Sequence, residues 1–374
     1  MKSRPGVFLI SIGSELLKGE VLNTNLVFLG RVLFENGIKL AGERSVADDP
    51  KQIHSALRDA LEVADFVITS GGLGPTFDDI THQTLSSYFL GAKELKIPNR
   101  VGKAPGILFI SSDRKVVSLP GVPREFESMI LREVFPKYLK EMGKKKQSFT
   151  AKAVGISEVD FLKKLGRLPA QSDAECGIYP SLGEVRFTAV GKNIQKLKSQ
   201  ITKRLKEFLY SYDKSESFEK VLGDLLLRKK ATISVAESCT GGLTSKLITD
   251  IPGSSQYFLG GVTAYSNQIK ENFVQVSKLL IKDRGAVSKD VAAELAWNVR
   301  KLMRSTYGIG ITGIAGPDGG TKQKPVGLVY IALADSKSTH VKKFQFSGDR
   351  ERVRLLAAKR ALYLLWHKIK FGRF

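Results

Sequence analysis

The sequence predicts an α/β protein with two larger α/β domains, whose sheets are mostly parallel, joined by a small α+β unit. Strand-like apolar runs alternate with amphipathic, helix-like stretches over residues 1–140. A basic linker follows, and the same alternation restarts near residue 214. Such alternation is typical of parallel sheets covered by helices. We therefore predict domains at 1–146, 147–213 and 214–374.

The first domain opens with the apolar run VFLISI, which predicts a strand. Leucines at 22, 26, 29 and 33 recur three or four residues apart, and this spacing predicts an amphipathic helix over 22–36. The segment DDPKQIHSALRDALEVA predicts a helix that begins at an aspartate. DFVITS predicts a short buried strand that enters the glycine loop GGLGPTFDD.

The middle and last domains follow the polar linker GKKKQ. AKAVGI and GEVRFTAVG predict strands, with the helix ISEVDFLKKLGRL between them and a lysine-rich helix after them. In the last domain the helix FEKVLGDLLLRKK leads into the strand ATISVAE and the loop SCTGG. We expect these two regions to form separate small sheets.

Composition narrows the class of protein. The chain has 374 residues, a hydrophobic fraction of 42% and two distant cysteines, Cys176 and Cys239. This cysteine usage indicates no disulfide framework and predicts a reducing, cytoplasmic location. No apolar stretch approaches the length of a membrane span. The net charge of +22 is spread along the chain without a nucleic-acid-binding motif, so only non-specific nucleic-acid affinity is expected.

Three glycine loops follow predicted strands, at 69–79, 237–242 and 312–320. Ligands of open α/β sheets bind at the carboxyl ends of strands, and glycines let backbone N–H groups approach a phosphate. The three loops therefore favour a phosphate-bearing substrate over ordinary turns. GIGITG at 308–313 has the letters of a dinucleotide fingerprint, but its glycines lie inside the predicted strand and no helix follows, so we exclude that function.

The segment 253–270 places serines, a tyrosine and a lysine around one apolar strand. A serine hydroxyl becomes a nucleophile when a base removes its proton, and a buried lysine serves as that base once its amine is neutral. This chemistry predicts Ser255 as nucleophile, Lys270 as base and Tyr265 as assistant. The alternative leaves Ser255 and Tyr265 as strand caps and Lys270 as a solvated helix residue.

The motifs ESCTGG, PGSSQYFLGGVTAYSN, GAVS, TGIAGPDGG and KPVGLVY resemble the C-terminal domain of the CinA family, a nicotinamide-nucleotide amidohydrolase domain of the PncC type. SIGSELLKGEVLNTN, GGLGPTFDD and LPGVPREF resemble the family's molybdopterin-binding-type domain, which is related to MogA and MoaB. The middle unit is similar to the family's KH-like linker domain. It lacks the G-x-x-G loop of RNA-binding KH domains and is interpreted as a spacer.

The resemblance implies hydrolysis of the carboxamide of nicotinamide mononucleotide to nicotinate mononucleotide and ammonia, in pyridine nucleotide salvage. It implies no cofactor for this reaction, a small nucleotide substrate and a homodimer. The catalytic residues implied are Ser255, Tyr265 and Lys270. The candidate substrate contacts are Ser238, Thr240, Gly241, Asn267, Thr312 and Gly313. Asn267 is equally well interpreted as a turn residue. Cys239 has the chemistry of a nucleophile, but no histidine lies nearby in the sequence, so it is interpreted as a small packed residue.

The resemblance also assigns a pocket to the N-terminal domain. Its candidate residues are Asp48, Gly71, Gly72, Gly74, Asp78 and Asp79. Some family members are metal-dependent ADP-ribose pyrophosphatases, so Asp78 and Asp79 are candidates for a divalent metal, or they simply begin a helix. Only KELKIPNRV stands where the family carries a further helix and loop. The domain is therefore either an active pyrophosphatase or a degenerate domain kept for dimerisation or nucleotide binding.

A third reading is of a different class. The family's name suggests a binding protein associated with competence and DNA uptake, and the charge of +22 is its support in the sequence. Binding to DNA that weakens steeply with salt and ignores sequence would indicate charge alone.

Overall fold

A computed structural model describes residues 6–76, 79–111, 114–143, 147–192 and 194–374. The chain divides into two compact units, one up to Ser148 and one from Phe149 to Phe374. Each unit is described by itself. No helix within the described ranges is long and apolar enough to cross a membrane.

The first unit contains one six-stranded sheet with the order β2-β1-β3-β6-β5-β4. Strands β2, β1, β3 and β6 are parallel, and β5 and β4 are antiparallel to their neighbours. The strands are β1 (Val7–Ile12), β2 (Leu40–Val46), β3 (Phe66–Ser70), β4 (Lys93–Ile97), β5 (Gly106–Ser111) and β6 (Arg114–Leu119). The helices are α1 (Ser14–Leu17), α2 (Thr24–Glu35), α3 (Pro50–Val63), α4 (Thr81–Tyr88) and α5 (Pro123–Met129), which continues as a π-helix (Ile130–Leu139) and a 3-10 turn (Lys140–Met142).

Helices cover both faces of this sheet because the residues of β1 alternate between them. Val7 and Leu9 pack with the apolar face of α2. Phe8 and Ile10 pack with the apolar face of α3 on the other side. The predicted helix over 22–36 begins two residues later, because the Asn23 side chain caps it.

The second unit contains two sheets. The smaller has the order β10-β7-β9-β8 and the larger the order β12-β11-β13-β14-β15. The strands are β7 (Gln147–Val154), β8 (Ala174–Ser181), β9 (Glu184–Gly191), β10 (Leu209–Ser211), β11 (Ile233–Glu237), β12 (Phe258–Thr263), β13 (Tyr307–Gly313), β14 (Leu328–Ala334) and β15 (Thr339–Gln345). The helices are α6 (Glu158–Leu165), α7 (Ile194–Leu205), α8 (Phe218–Arg228), α9 (Leu243–Thr249), α10 (Asn267–Asn272), α11 (Lys278–Arg284), α12 (Lys289–Leu302) and α13 (Arg350–Phe371).

In the larger sheet β12, β11 and β13 are parallel, whereas β14 and β15 are antiparallel. The predicted α/β class is thus confirmed. The GIGITG segment lies inside β13, as predicted. Its glycines allow α12 to approach, since a Cβ on Gly308 would lie 2.1 Å from the Ala296 carbonyl oxygen and one on Gly310 would lie 2.4 Å from that of Ala292.

A largely buried ion-pair network connects the smaller sheet to α8 and α13. The Lys359 ammonium pairs with Glu184 on β9 and lies 3.0 Å from the Glu219 carboxylate on α8. Burial lowers the pKa of Lys359, but the two carboxylates outweigh it and raise that pKa above its ordinary value. The Tyr210 hydroxyl donates to the other oxygen of Glu184. Residues 149–374 therefore pack as one unit, and the boundary at 213/214 remains a prediction.

Replacing Lys359 with Met should strongly destabilise this unit, because two buried carboxylates would lose their cation. We expect the free energy of unfolding to fall by about 3 kcal/mol. Both tryptophans, Trp297 and Trp366, lie in this unit, so urea unfolding followed by tryptophan fluorescence reports on it.

Lys220→Met is the matched control, since Lys220 pairs with Asp224 on the exposed face of α8. Its cost should stay below about 1 kcal/mol. Equal costs for the two variants would contradict a structural role for the Lys359 network.

Candidate active site

The candidate active site lies where the parallel strands β12, β11 and β13 end. Ser238 follows β11 directly, and its N–H donates to the Ile311 carbonyl of β13 at 2.9 Å. Thr312 and Gly313 end β13, and Tyr265 lies two residues after β12. Parallel strands bring their carboxyl ends to one edge of a sheet, so these residues share that edge.

Lys270, on α10, is the buried cation of this edge, with 1% of its surface exposed. Its Nζ donates to the carbonyl oxygens of Ala264 at 2.8 Å and Tyr265 at 3.1 Å. Burial lowers the pKa of the amine, and the nearby Cys239 thiol opposes that shift. Lys270 is thus a desolvated amine held by two carbonyls, as the buried-base prediction requires, and the solvated-helix alternative is wrong.

The structure corrects the prediction of Ser255 as the nucleophile for this base. Ser255 lies in a 3-10 turn before β12, whereas Lys270 lies after it. Phe258, the first residue of β12, pairs with Ile233 at the amino end of β11. Six strand residues at about 3.3 Å each separate the two side chains by about 20 Å. The two are therefore at opposite ends of the sheet and cannot exchange a proton directly.

Ser238, predicted only as a substrate contact, is the serine at the correct end. It is 9% exposed, and within the described ranges its hydroxyl forms no hydrogen bond. The neighbouring Cys239 is buried, and burial raises its thiol pKa to about 12, so it remains protonated. Cys239 is thus a packed residue, as the alternative reading held. The sequence already contained the signal that separates Ser255 from Lys270, because an apolar strand lies between them.

Glu237 sets the path of the loop that carries Ser238. Its buried carboxylate accepts hydrogen bonds from the backbone N–H groups of Thr244 and Ser245, both at 2.8 Å, and from the Ser245 hydroxyl at 2.7 Å. These N–H groups belong to the first turn of α9, where a negative charge is favoured. Gly241 and Gly242 make the turn with positive φ angles. Sequence analysis did not single out Glu237.

Two arginines of α13 also reach this edge and were missed. Arg354 donates through Nε and Nη2 to the Thr240 carbonyl, at 3.2 and 2.9 Å. Arg350 donates to the Tyr265 hydroxyl at 2.8 Å and to the Gly316 carbonyl at 2.7 Å. Neither arginine pairs with a carboxylate among the residues that the structure describes. Their spacing of four in SGDRERVR was the available signal, because it places both on one helix face.

The other predicted contacts divide into buried and accessible groups. Thr240 is fully buried, and Thr312 is fully buried with its hydroxyl donating to the Ala286 carbonyl at 2.8 Å. Gly241 and Gly313 lie at this edge as backbone positions. Asn267 is the exposed first residue of α10, behind the Ser266 cap, so it lies in a helix rather than in a turn. The Tyr265 hydroxyl accepts a hydrogen bond from Arg350, whereas the Tyr265 carbonyl accepts one from the Lys270 amine. The backbone of Tyr265 rather than its ring therefore orients Lys270.

The glycine loop of the first unit borders a cavity of about 500 Å³. Gly72, Gly74 and Asp79 line it, together with Glu94 and Lys96 from β4. A Cβ on Gly72 would lie 2.1 Å from the Thr81 hydroxyl oxygen, so only glycine fits this close turn. Gly71 has the same property toward the Ile12 carbonyl, at 2.0 Å, but does not line the cavity.

Of the two described aspartates predicted for this pocket, Asp79 lines the cavity and holds a turn, whereas Asp48 does not line the cavity and bonds to Ser14. Partial burial raises the Asp79 pKa, but hydrogen bonds from the Thr76 hydroxyl and N–H outweigh it and lower that pKa below its ordinary value. Asp48 accepts from the Ser14 N–H at 2.9 Å and from its hydroxyl at 3.0 Å. Asp78 lies outside the described residues. Asp79 does not begin α4, because that helix starts at Thr81 after Ile80.

The residues that the structure describes do not by themselves fit a divalent metal. Among them no group of three or more His, Cys, Asp or Glu side chains is arranged to hold an ion. One carboxylate oxygen of Asp48 accepts a hydrogen bond from Ser14, and one of Asp79 accepts a hydrogen bond from Thr76. A metal at Asp78 and Asp79 therefore gains no support from this geometry.

Comparisons with known proteins cover both units. Residues 215–369 match the family model of the CinA C-terminal domain, and residues 8–140 match that of a probable molybdopterin binding domain. A putative competence-damage inducible protein of Halothermothrix orenii is 38% identical over 408 positions, covering 97% of this chain and 98% of that protein. A CinA-like protein of Syntrophomonas wolfei is 38% identical over 415 positions, covering 97% and 99%. A crystal structure of a CinA superfamily protein from Klebsiella pneumoniae is 26% identical and covers 41% of this chain and 99% of its own, with a TM-score of 0.40.

Both alignments run over more positions than the 374 residues of the chain, so each relative carries segments that this chain lacks. This agrees with the expectation of a missing element, whose location before Gly102 remains a prediction. The match to whole relatives, across nearly the full length of both partners, establishes the relationship. The chain belongs to the CinA family.

Proposed function

We propose that the C-terminal part of the chain hydrolyses the carboxamide of nicotinamide mononucleotide, with Ser238 as nucleophile and Lys270 as base. The observation that carries this proposal is the buried Lys270 amine at the same sheet edge as Ser238. The amidohydrolase activity itself comes from the family resemblance. The geometry supports it with a serine, a desolvated amine and a positively charged edge.

The hydrogen bonds of Lys270 suit a neutral amine. A neutral amine has two N–H bonds and one lone pair, and the carbonyls of Ala264 and Tyr265 accept the two N–H bonds. The lone pair of the nitrogen is left to accept a proton. Desolvation disfavours the charged form of lysine, so burial shifts the protonation equilibrium of Lys270 toward the neutral amine.

In the proposed reaction the Ser238 hydroxyl transfers its proton to Lys270 as Oγ bonds to the carboxamide carbon. The tetrahedral intermediate collapses as Lys270 returns the proton to the departing nitrogen, which leaves as ammonia. A water molecule then gives a proton to Lys270 and attacks the acyl-serine ester. Release of nicotinate mononucleotide restores Ser238 and the neutral amine, and no metal or cofactor takes part.

The two arginines support an anionic substrate. Arg350 and Arg354 lie at this edge and are bound only to carbonyl or hydroxyl oxygens among the described residues. An unneutralised guanidinium is well suited to a phosphate group. We assign the 5′-phosphate of the substrate to this side of the site.

The first test measures ammonia release from nicotinamide mononucleotide in the presence of EDTA. Ser238→Ala should lower kcat by at least about 1000-fold, since it removes the nucleophile. Ser255→Ala is the matched control and should stay within about twofold of the unchanged protein. The opposite result for the two serines would restore Ser255 and overturn the assignment. No release from the folded, unchanged protein would refute the activity.

The second test follows kcat/KM against pH. Because only the neutral amine accepts a proton, activity should rise with pH through the pKa of Lys270. Burial lowers that pKa, so the midpoint of the rise should lie below the ordinary lysine value of about 10.4. In Lys270→Arg, whose side chain stays protonated, the residual activity should lose this rise. A rise that persists in the variant would assign it to another group.

A second candidate function belongs to the cavity beside the first glycine loop. We propose that it binds a nucleotide with a pyrophosphate group, of which ADP-ribose is the substrate implied by the family resemblance. Its volume of about 500 Å³ and its position after β3 support this. Hydrolysis with a divalent metal remains a separate proposal, since the described residues do not complete a metal site.

Gly72→Ala should weaken ADP-ribose binding at least about tenfold, measured by calorimetry, because the new Cβ would displace Thr81 beside the cavity. Gly91→Ala is the matched control. It has a similar positive φ angle but no atom within 4 Å of the added Cβ, so both variants carry the same backbone cost. Equal weakening in both would contradict the assignment, and hydrolysis that requires Mg²⁺ would extend it to a pyrophosphatase.

A further inference from the structure

A cavity of about 270 Å³ lies between the β8–β9 hairpin and α13 in the second unit. Arg352, Leu356, Lys359 and Arg360 line it from the helix, and Phe346 lines it from the preceding loop. At about 100° per residue, Arg352, Leu356 and Lys359 lie on the side of α13 opposite Arg350 and Arg354, and Arg360 lies about 100° around the helix from that pair. The cavity is therefore separate from the proposed active site.

Arg360 is the distinctive group of this cavity. Its Nη1 donates to the Gly155 carbonyl at 2.7 Å. Its guanidinium lies 5.3 Å from the ring centre of Phe344 and 5.6 Å from that of Tyr363. Desolvation lowers its pKa, and no carboxylate in the described ranges pairs with it. A guanidinium that is mostly buried beside a cavity without a counter-ion is an anion-binding group in need of an anion.

The other charges around the cavity leave a local positive surplus on one wall. Lys359 faces two carboxylates, Glu184 and Glu219, so with Arg352 and Arg360 this side has three cations against two carboxylates, a surplus of one positive charge. Arg352 lines the same side as Arg360 and forms no ion pair with a described carboxylate. Glu158 lines the opposite wall, beside Ser157. One wall thus suits an anion, whereas the other suits the hydroxyl groups of the same ligand.

We propose that this cavity is a second ligand site, which binds small phosphomonoesters that carry hydroxyl groups. Arg352 and Arg360 hold the phosphate, and the Glu158 wall accepts hydrogen bonds from the hydroxyls. The cavity volume of about 270 Å³ limits the ligand to a small metabolite. The site is independent of whether the chain is an amidohydrolase.

The position of the site on α13 predicts an effect on the active site. The same helix holds the Tyr265 hydroxyl through Arg350 and the Thr240 carbonyl through Arg354. A ligand that joins Arg352 and Arg360 on α13 to the Glu158 side of the cavity will favour one placement of this helix relative to the smaller sheet. Occupancy of the cavity should therefore change the KM for the substrate of the active site.

The test titrates the full chain with glycerol 3-phosphate, which has no pyridine or carboxamide, and with glycerol as the uncharged control. We expect saturable binding of glycerol 3-phosphate by calorimetry. The double variant Arg352→Gln, Arg360→Met should weaken it at least about tenfold, as expected when charge-assisted hydrogen bonds are lost. Arg352→Gln alone, an exposed change that should leave folding intact, should show a smaller loss.

Lys229→Gln with Lys343→Gln removes the same charge from exposed positions and should bind like the unchanged protein. Absence of saturable binding, or equal weakening in this control, would overturn the proposal. Glycerol 3-phosphate should also shift KM for ammonia release in the unchanged protein but not in the double arginine variant. An equal KM shift in both would place the ligand in the active site and overturn the second site. If no ammonia is released at all, the calorimetry still decides.

Discussion

The parallel pairing of β12, β11 and β13 is the constraint on which the candidate active site depends. It brings the ends of three strands to one edge, so residues far apart in the chain become neighbours there. Ser238, Lys270 and Thr312 share that edge for this reason. The same pairing sends Ser255 to the other end. Strand direction thus decides which serine can meet the base, independently of spacing along the chain.

A buried amine at this edge requires compensation, and the backbone provides it. Two carbonyls bind Lys270 in place of a carboxylate, so the desolvated amine keeps hydrogen-bond partners without an ion pair to a described carboxylate. Glu237, a buried acid at the end of β11, binds the first turn of α9. Arg350 and Arg354 contact carbonyl and hydroxyl oxygens at this edge rather than a described carboxylate. That arrangement suits both a neutral lysine base and an anionic substrate.

Helix α13 connects several parts of the second unit. Its first turns contact the loops after β11, β12 and β13, and its middle carries Lys359 into the network with Glu184 and Glu219. The middle sheet, interpreted from the sequence as a spacer, is therefore packed against the helix that also supports the active site. This packing gives a physical route by which a ligand beside β8–β9 affects the active site.

The sequence by itself determined the α/β class, the glycine loops at strand ends and the position of GIGITG inside a strand. These features follow from local periodicity and turn chemistry. It also predicted a buried amine at Lys270, which the structure shows. Only the tertiary structure decided that Ser238 rather than Ser255 lies at the same sheet edge as Lys270, and that Arg350 and Arg354 return to this edge from α13. The physical reason is that the two ends of a strand are about 20 Å apart, while residues more than a hundred positions apart meet across a sheet edge.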